Sequence, residues 1–393
     1  MSDAAMPLST EHAIAAFERE ILSYGQNAGM ILVAQAAAPD HAIATAYAAC
    51  AHLFRVTRDG QAAAQRLLAA LPAGAASSAR ERQMVRAMRR WADEDIRAAR
   101  AAFAEHVLGA PEDLFAAKLL QHLQFAEGDT RGMLRTIETV LPSHASDARA
   151  HGMHAFALDQ CGWHELAERA ARRALELGDD PWAHHAIAHV LDARGAHAEG
   201  RHWMHAHADA WANCSSFLFT HNWWHAALFH IGLGDTNGAL SLYRDRVWTM
   251  RKEYCQDQIN AVALLARLEL AGVDVGDRWA EVARYVAPRS LEAIDGFLDL
   301  HTVYALARAG EDALVASMIS VASEAAETTR RRIMPAALGG MAAFARGRMT
   351  EAHRLLGGVH GELYRLGGST VQRGWFDAVI ASAAAGDPRS LAA

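Results

Sequence analysis

The chain has 393 residues, 52% of them hydrophobic, and 38 Lys and Arg against 45 Asp and Glu give a formal net charge of −7. That length and apolar share support a buried core and place the chain in the soluble globular class. The acidic balance argues against a nucleic-acid partner, because arginines such as Arg89 and Arg90 sit among Asp93, Glu94 and Asp95 and leave no uncompensated basic face.

Residues 1–10 lack the charged and apolar regions of a secretory signal, and no uninterrupted apolar run approaches a membrane span. Cys50, Cys161, Cys214 and Cys255 are scattered, with no C-x-x-C spacing, and read as buried small hydrophobes in a reducing compartment. The expectation is a cytoplasmic protein with no membrane partner. Leu71–Ser78 (LPAGAASS) is turn-rich and is the clearest local break. The next segment, SARERQMVRAMRRWADEDIRAARAAFAEHVL, places Met84, Met88 and Trp91 at i, i+4 and i+7, followed by Phe103 and Val107, an amphipathic helical pattern.

From Gly128 onward, glycines recur at turn positions: Gly128, Gly162, Gly195, Gly234, Gly272, Gly310 and Gly347, spaced by 34, 33, 39, 38, 38 and 37 residues. That is the period of helix–turn–helix units in which Gly supplies the left-handed position ending the first helix. Small residues after the turns (Ala167, Ala174, Ala239, Ala313 and Ala352) are expected to allow close helix packing. Ala155 to Pro181 fits the tetratricopeptide pattern best. β-branched residues are sparse and alternating runs short, so the fold class is all-α: an α-solenoid of tetratricopeptide-like helix–turn–helix repeats. No long linker divides it. A single domain over 1–393 is expected, with N-terminal helices over 1–110 and helical repeats over 111–393.

Two histidine pairs stand out among 22 histidines. His185 and His189 in HHAIAHVLD, and His221 and His225 in THNWWHAALFH, each have i,i+4 spacing, which puts both imidazoles on one face of a helix. Asp192, at i+7 from His185, extends the first stripe. The two stripes belong to first helices of adjacent units, with Glu199 to Trp211 forming the second helix between them, so they should face each other roughly 10 Å apart, axis to axis. Three uses remain open: a hydrogen-bonded core network with Asn222, Asp192 and the indole N–H groups of Trp223 and Trp224, a metal site, or metal-free acid–base catalysis. Four imidazoles carry more polar nitrogens than a core needs, which favours the metal.

The metal reading takes His185, His189 and His225 as ligands of a divalent transition ion (Fe, Co, Mn or Zn), with either His221 or Asp192 completing the set. His221 and Asp192 are otherwise candidate catalytic groups beside it, and His301 joins them if the superhelix closes tightly. Trp224, Asn222, His154, Gln372 and Arg373 are candidate substrate-binding residues, although Gln372 and Arg373 fit a salt-bridged terminal helix equally well. His197, His202, His205 and His207 read as surface residues, while His184 and His230 fall off the stripes. Trp182, Trp223, Trp224 and Phe229 read mostly as core. GLGD at Gly232–Asp235 follows a helix and is a turn, and no nucleophile elbow, Walker loop or dinucleotide fingerprint is present. The function expected is a metal-dependent oxidoreductase acting on a small-molecule substrate. The alternative is a non-catalytic scaffold binding a peptide or protein partner in its groove.

These pieces (GMHAFALDQCGWHELAERAARRALELGDDPWAHHAIAHVLDARGAHAEG, FTHNWWHAALFHIGLGD, DLHTVYALARAG and LGGSTVQRGWF) resemble the tetratricopeptide repeat protein 38 family, from about Arg80 to Arg373. The resemblance implies the repeat fold and marks His185, His189, His221, Asn222, Trp224, His225, Asp299, His301, Gly368, Ser369, Gln372 and Arg373 as family positions. That family usually has Glu where this chain has Asp192, and often His where it has Thr370. The chain also looks like a tetratricopeptide-like member of the pathway to toxoflavin, an azapteridine toxin. That likeness implies a small heterocyclic substrate, an oxidative or ring-forming step and a place in antibiotic biosynthesis.

Overall fold

Alanine-rich segments that alternate with left-handed glycine turns fold into antiparallel helix pairs. In the computed structural model, which describes residues 9–324 and 328–386, these make 22 α-helices, with no β-strand among the described residues. Residues 1–8, most of the stretch that lacks the regions of a secretory signal, lie outside the described residues. Among the described residues no helix is long and apolar enough to cross a membrane.

All seven turn glycines adopt positive φ, from +65° at Gly195 to +81° at Gly272. Asp129 and Asp235, each following such a glycine, start the next helix by accepting from the backbone N–H of Gly132 and Gly238. Small residues then let the helices close up: Ala167, Ala174, Ala239 and Ala352 are fully buried. Ala313 departs from that expectation and lies exposed, because Val315 and Met318 are the buried residues of its helix. Met84, Met88, Trp91, Phe103 and Val107 are all core residues, as the amphipathic pattern requires.

Segments near both ends of the described chain fold across the concave face. On one side Tyr24 O accepts from Ser215 N at 2.6 Å, Gln26 Nε2 donates to Cys214 O at 3.1 Å, and Arg289 donates to Val56 O at 2.9 Å. On the other, Thr370 N donates to Gln160 Oε1 at 3.1 Å, and the Thr370–Ala385 helix packs on the Pro181–Ala193 and Cys255–Leu270 helices. Gly128 sits against this closure: a Cβ there would lie 2.1 Å from the carbonyl oxygen of Tyr364. The superhelix therefore closes on itself and seals its own interior.

Candidate metal centre

Asp180 caps the Pro181–Ala193 helix by accepting from Trp182 N at 3.1 Å, and Pro181 occupies the first turn, where a missing N–H costs nothing. This sets where the helix begins, and along it His185 and His189 face inward. The Ser216–Gly232 helix packs alongside and turns His221 and His225 to meet them, while the His197–Ala206 helix backs both.

One ring nitrogen from each of His185, His189, His221 and His225 lies within 4.8 Å of the other three, and all four residues are buried. Ring centroids stand 4.6 Å apart for His185–His189, 4.7 Å for His189–His225 and 4.9 Å for both His185–His225 and His221–His225. Tetrahedral ligation at about 2.0–2.1 Å puts nitrogens about 3.3 Å apart, so no pair would need to draw in by more than about 1.5 Å on loading.

One ring has a hydrogen-bonded outer nitrogen and a second sits against a carboxylate. His221 Nδ1 is 2.8 Å from Asn260 Oδ1, and Asn260 Nδ2 in turn donates to Thr220 Oγ1 at 3.1 Å. His189 Nδ1 is 2.9 Å from Asp159 Oδ2, in contact but poorly aligned for a linear hydrogen bond. Asp159 is 1% exposed and also accepts from Gln160 Nε2 at 2.8 Å. A carboxylate or amide behind a histidine fixes the ring and leaves its other nitrogen to a metal. The remaining nitrogens have no such use: both of His185, both of His225 and Nε2 of His189 are sealed from water without a hydrogen-bond partner. Each orphan of this kind costs about 1–3 kcal/mol.

Burial, and secondarily the other imidazoles, push the His185 and His225 pKa values well below the usual histidine range. Burial also lowers His221, to about 4, against the opposing hydrogen bond that its Nδ1 donates to Asn260 Oδ1. These three rings are neutral at physiological pH, the form a metal requires.

The hydrogen-bonded core network expected as one alternative is not formed. Both amide atoms of Asn222 and the indole nitrogens of Trp223 and Trp224 are buried without partners, so none serves an imidazole. His221 stands among the four convergent rings, whereas Asp192 lies outside that group, half-buried, and reaches His189 only electrostatically. His301 is buried but separate: its Nδ1 contacts Phe297 O at 2.8 Å, its ring packs on Phe297 and Trp375, and burial lowers its pKa to about 3.

Among the candidate substrate groups, Trp224 stacks on His221 at 5.2 Å and meets His225 edge-on at 4.8 Å. Asn222, one residue after His221, is fully buried. His154 is half-buried on the Ala148–Gln160 helix, outside the cluster, with Nε2 unpartnered. Gln372 closes a capping box, Oε1 accepting from Ser369 N at 2.9 Å, and Arg373 donates to Gly368 O. Both therefore build the start of the terminal helix, though through capping and not through salt bridges.

Asp159, Asn260 and Arg267 carry no sequence motif. Asp159 had a faint signal, a lone carboxylate on the first helix that precedes the His185 helix; the other two become visible only once the Cys255–Leu270 helix is placed.

No family model matches the chain. Among solved structures it is similar to the TPR domain of P58(IPK), with 11% identity over 78% of this chain and 97% of that one, at a TM-score of 0.22. At that identity and score the likeness carries nothing about the site.

Proposed function

We propose that the protein is a metal-dependent enzyme in which His185, His189 and His225, with His221 as a fourth ligand, hold one divalent transition ion that keeps a further coordination position open, and that a small molecule is its substrate. The observation that carries this reading is the set of orphaned imidazole nitrogens converging inside the helical solenoid. An iron, cobalt or manganese ion bound there would supply redox chemistry, and zinc would supply Lewis acidity. The chain's own part is to orient two rings through Asp159 and Asn260, to keep His185, His221 and His225 neutral by burial, and to exclude water with Trp182 and Trp224. The finer reading, an oxidoreductase on an azapteridine-type heterocycle in cytoplasmic natural-product biosynthesis, rests on the resemblance to the tetratricopeptide repeat protein 38 family and its toxoflavin-pathway member.

A second reading is a non-catalytic scaffold for a peptide or protein partner. The helix–turn–helix array itself favours it, since such arrays present extended binding surfaces. Against it stands the closure of the concave face by the chain's own ends. Metal analysis of untagged protein, followed by substitution of His225, separates the two. The enzyme reading expects stoichiometric metal that is lost on substitution, and the scaffold reading expects none.

A further inference from the structure

Two cations flank the imidazole cluster, each laid on an indole that itself touches the cluster. Lys118, on the Leu114–Ala126 helix, holds Nζ 5.1 Å from the centroid of Trp182, which stacks on His185 at 4.2 Å. Arg267, on the Cys255–Leu270 helix, holds its guanidinium 5.2 Å from the centroid of Trp224, which stacks on His221 and meets His225.

Neither cation has a full counter-charge. Lys118 Nζ donates to the Tyr24 hydroxyl at 2.7 Å, and Asp180 acts on it only from beyond ion-pair distance. Arg267 Nη2 donates to Val371 O at 2.7 Å, which ties the terminal helix down, and Asp192 acts on it from a distance. Arg267 Nη1 is sealed from water with no partner. A structural arginine would use both arms, and this one leaves an arm idle beside the cluster. Burial lowers the pKa of both cations, and each depresses a nearby imidazole, Lys118 acting on His185 and Arg267 on His225. With a divalent ion among the rings, Asp159, Asp180 and Asp192 together do not balance the ion, Lys118 and Arg267, and uncompensated buried charge is costly.

We infer that the site binds a small anion, a carboxylate or the deprotonated form of an acidic heterocycle, with Arg267 Nη1 gripping its charge and Lys118 reinforcing the field from the opposite indole. The inference rests on the proposed metal site for part of its charge balance, and its test is arranged so that the two fail separately. Charge-assisted hydrogen bonds are the strong ones, and a guanidinium grips a carboxylate better than an ammonium does.

The test titrates metal-loaded full-length protein calorimetrically with two carboxylate–amide pairs, formate with formamide and nicotinate with nicotinamide, while metal content is followed in parallel. The carboxylate of at least one pair is expected to bind at least about tenfold tighter than its amide. Arg267→Gln should erase that preference without lowering metal content, and Arg267→Lys should keep part of it. Equal affinities for acid and amide, no binding of either acid, or an unchanged preference in Arg267→Gln would overturn the inference. If Arg267→Gln loses its helical circular dichroism, Lys118→Met takes its place: a reduced preference supports the inference and an unchanged one overturns it. If the wild-type protein takes up no metal, the same titration of the apoprotein decides, and an Arg267-dependent preference there sustains the anion site while the metal reading alone falls.

Discussion

Asp159 and Asp192 offer the sharpest contrast, because both are carboxylates within electrostatic reach of His189 and only one touches it. Asp159 Oδ2 is 2.9 Å from His189 Nδ1, its Oδ1 is 3.2 Å from His164 Nδ1, and the residue is 1% exposed. Asp159→Asn keeps the volume but removes the charge that holds the ring. Loss of such a supporting partner costs about 10–100-fold in metal affinity, or about 1.4–2.8 kcal/mol. Asp192 lies outside the four-nitrogen group, so Asp192→Asn should shift affinity by no more than about threefold, the scale of a screened distant charge. Competition with a chromophoric chelator, using Co(II) and Zn(II), reads both constants on one scale. Affinity unchanged in Asp159→Asn would refute the positioning role. A larger loss in Asp192→Asn than in Asp159→Asn would mean that Asp192 is itself a ligand.

Metal should stay bound at pH 7.5 and leave on acidification. Burial lowers the pKa values of His185, His221 and His225, so the neutral rings and the stability they bring are present above about 6.5 and are lost as pH falls through the lowered values, which dialysis followed by elemental analysis will track. Asp257 behaves oppositely: burial raises its pKa to about 7, so its contribution is full below the ordinary carboxylate range and is lost as pH rises through 7. Asp257→Asn should therefore flatten the wild-type decline between about pH 4 and 7 in chemical denaturation, and an identical slope in both proteins would count against that assignment. At the turns, Gly310→Ala meets open space at φ +80° and should cost about 1 kcal/mol, whereas Gly128→Ala drives a methyl into the Tyr364 carbonyl and should melt at a clearly lower temperature. Equal melting points for the two would undo the account of the closed superhelix.

The repeat architecture was legible because a left-handed turn admits few residues other than glycine, so Gly128 to Gly347 write the helix period directly into the chain. The four histidines were legible because i,i+4 spacing survives any packing of the helices that carry it. What the sequence concealed depends on contacts between distant segments. Asp159, Asn260 and Arg267 have no local pattern, and they matter only because helices far apart in sequence stack around the cluster. Closure was equally hidden: Tyr24 meeting Ser215 and Gln160 meeting Thr370 are pairings that no periodicity encodes. Asp192 looked like a ligand because it continues the His185 stripe. It stands nearly one turn beyond His189, outside the four rings that converge there.

Elemental analysis of the full-length protein, purified without an affinity tag, tests the central claim most directly. About one equivalent of a divalent transition metal is expected, falling to a trace in His185→Ala and His225→Ala while helical circular dichroism is retained. A metal-free wild-type protein that takes up no Fe, Co, Mn or Zn on incubation, and whose melting temperature none of them raises, would contradict it.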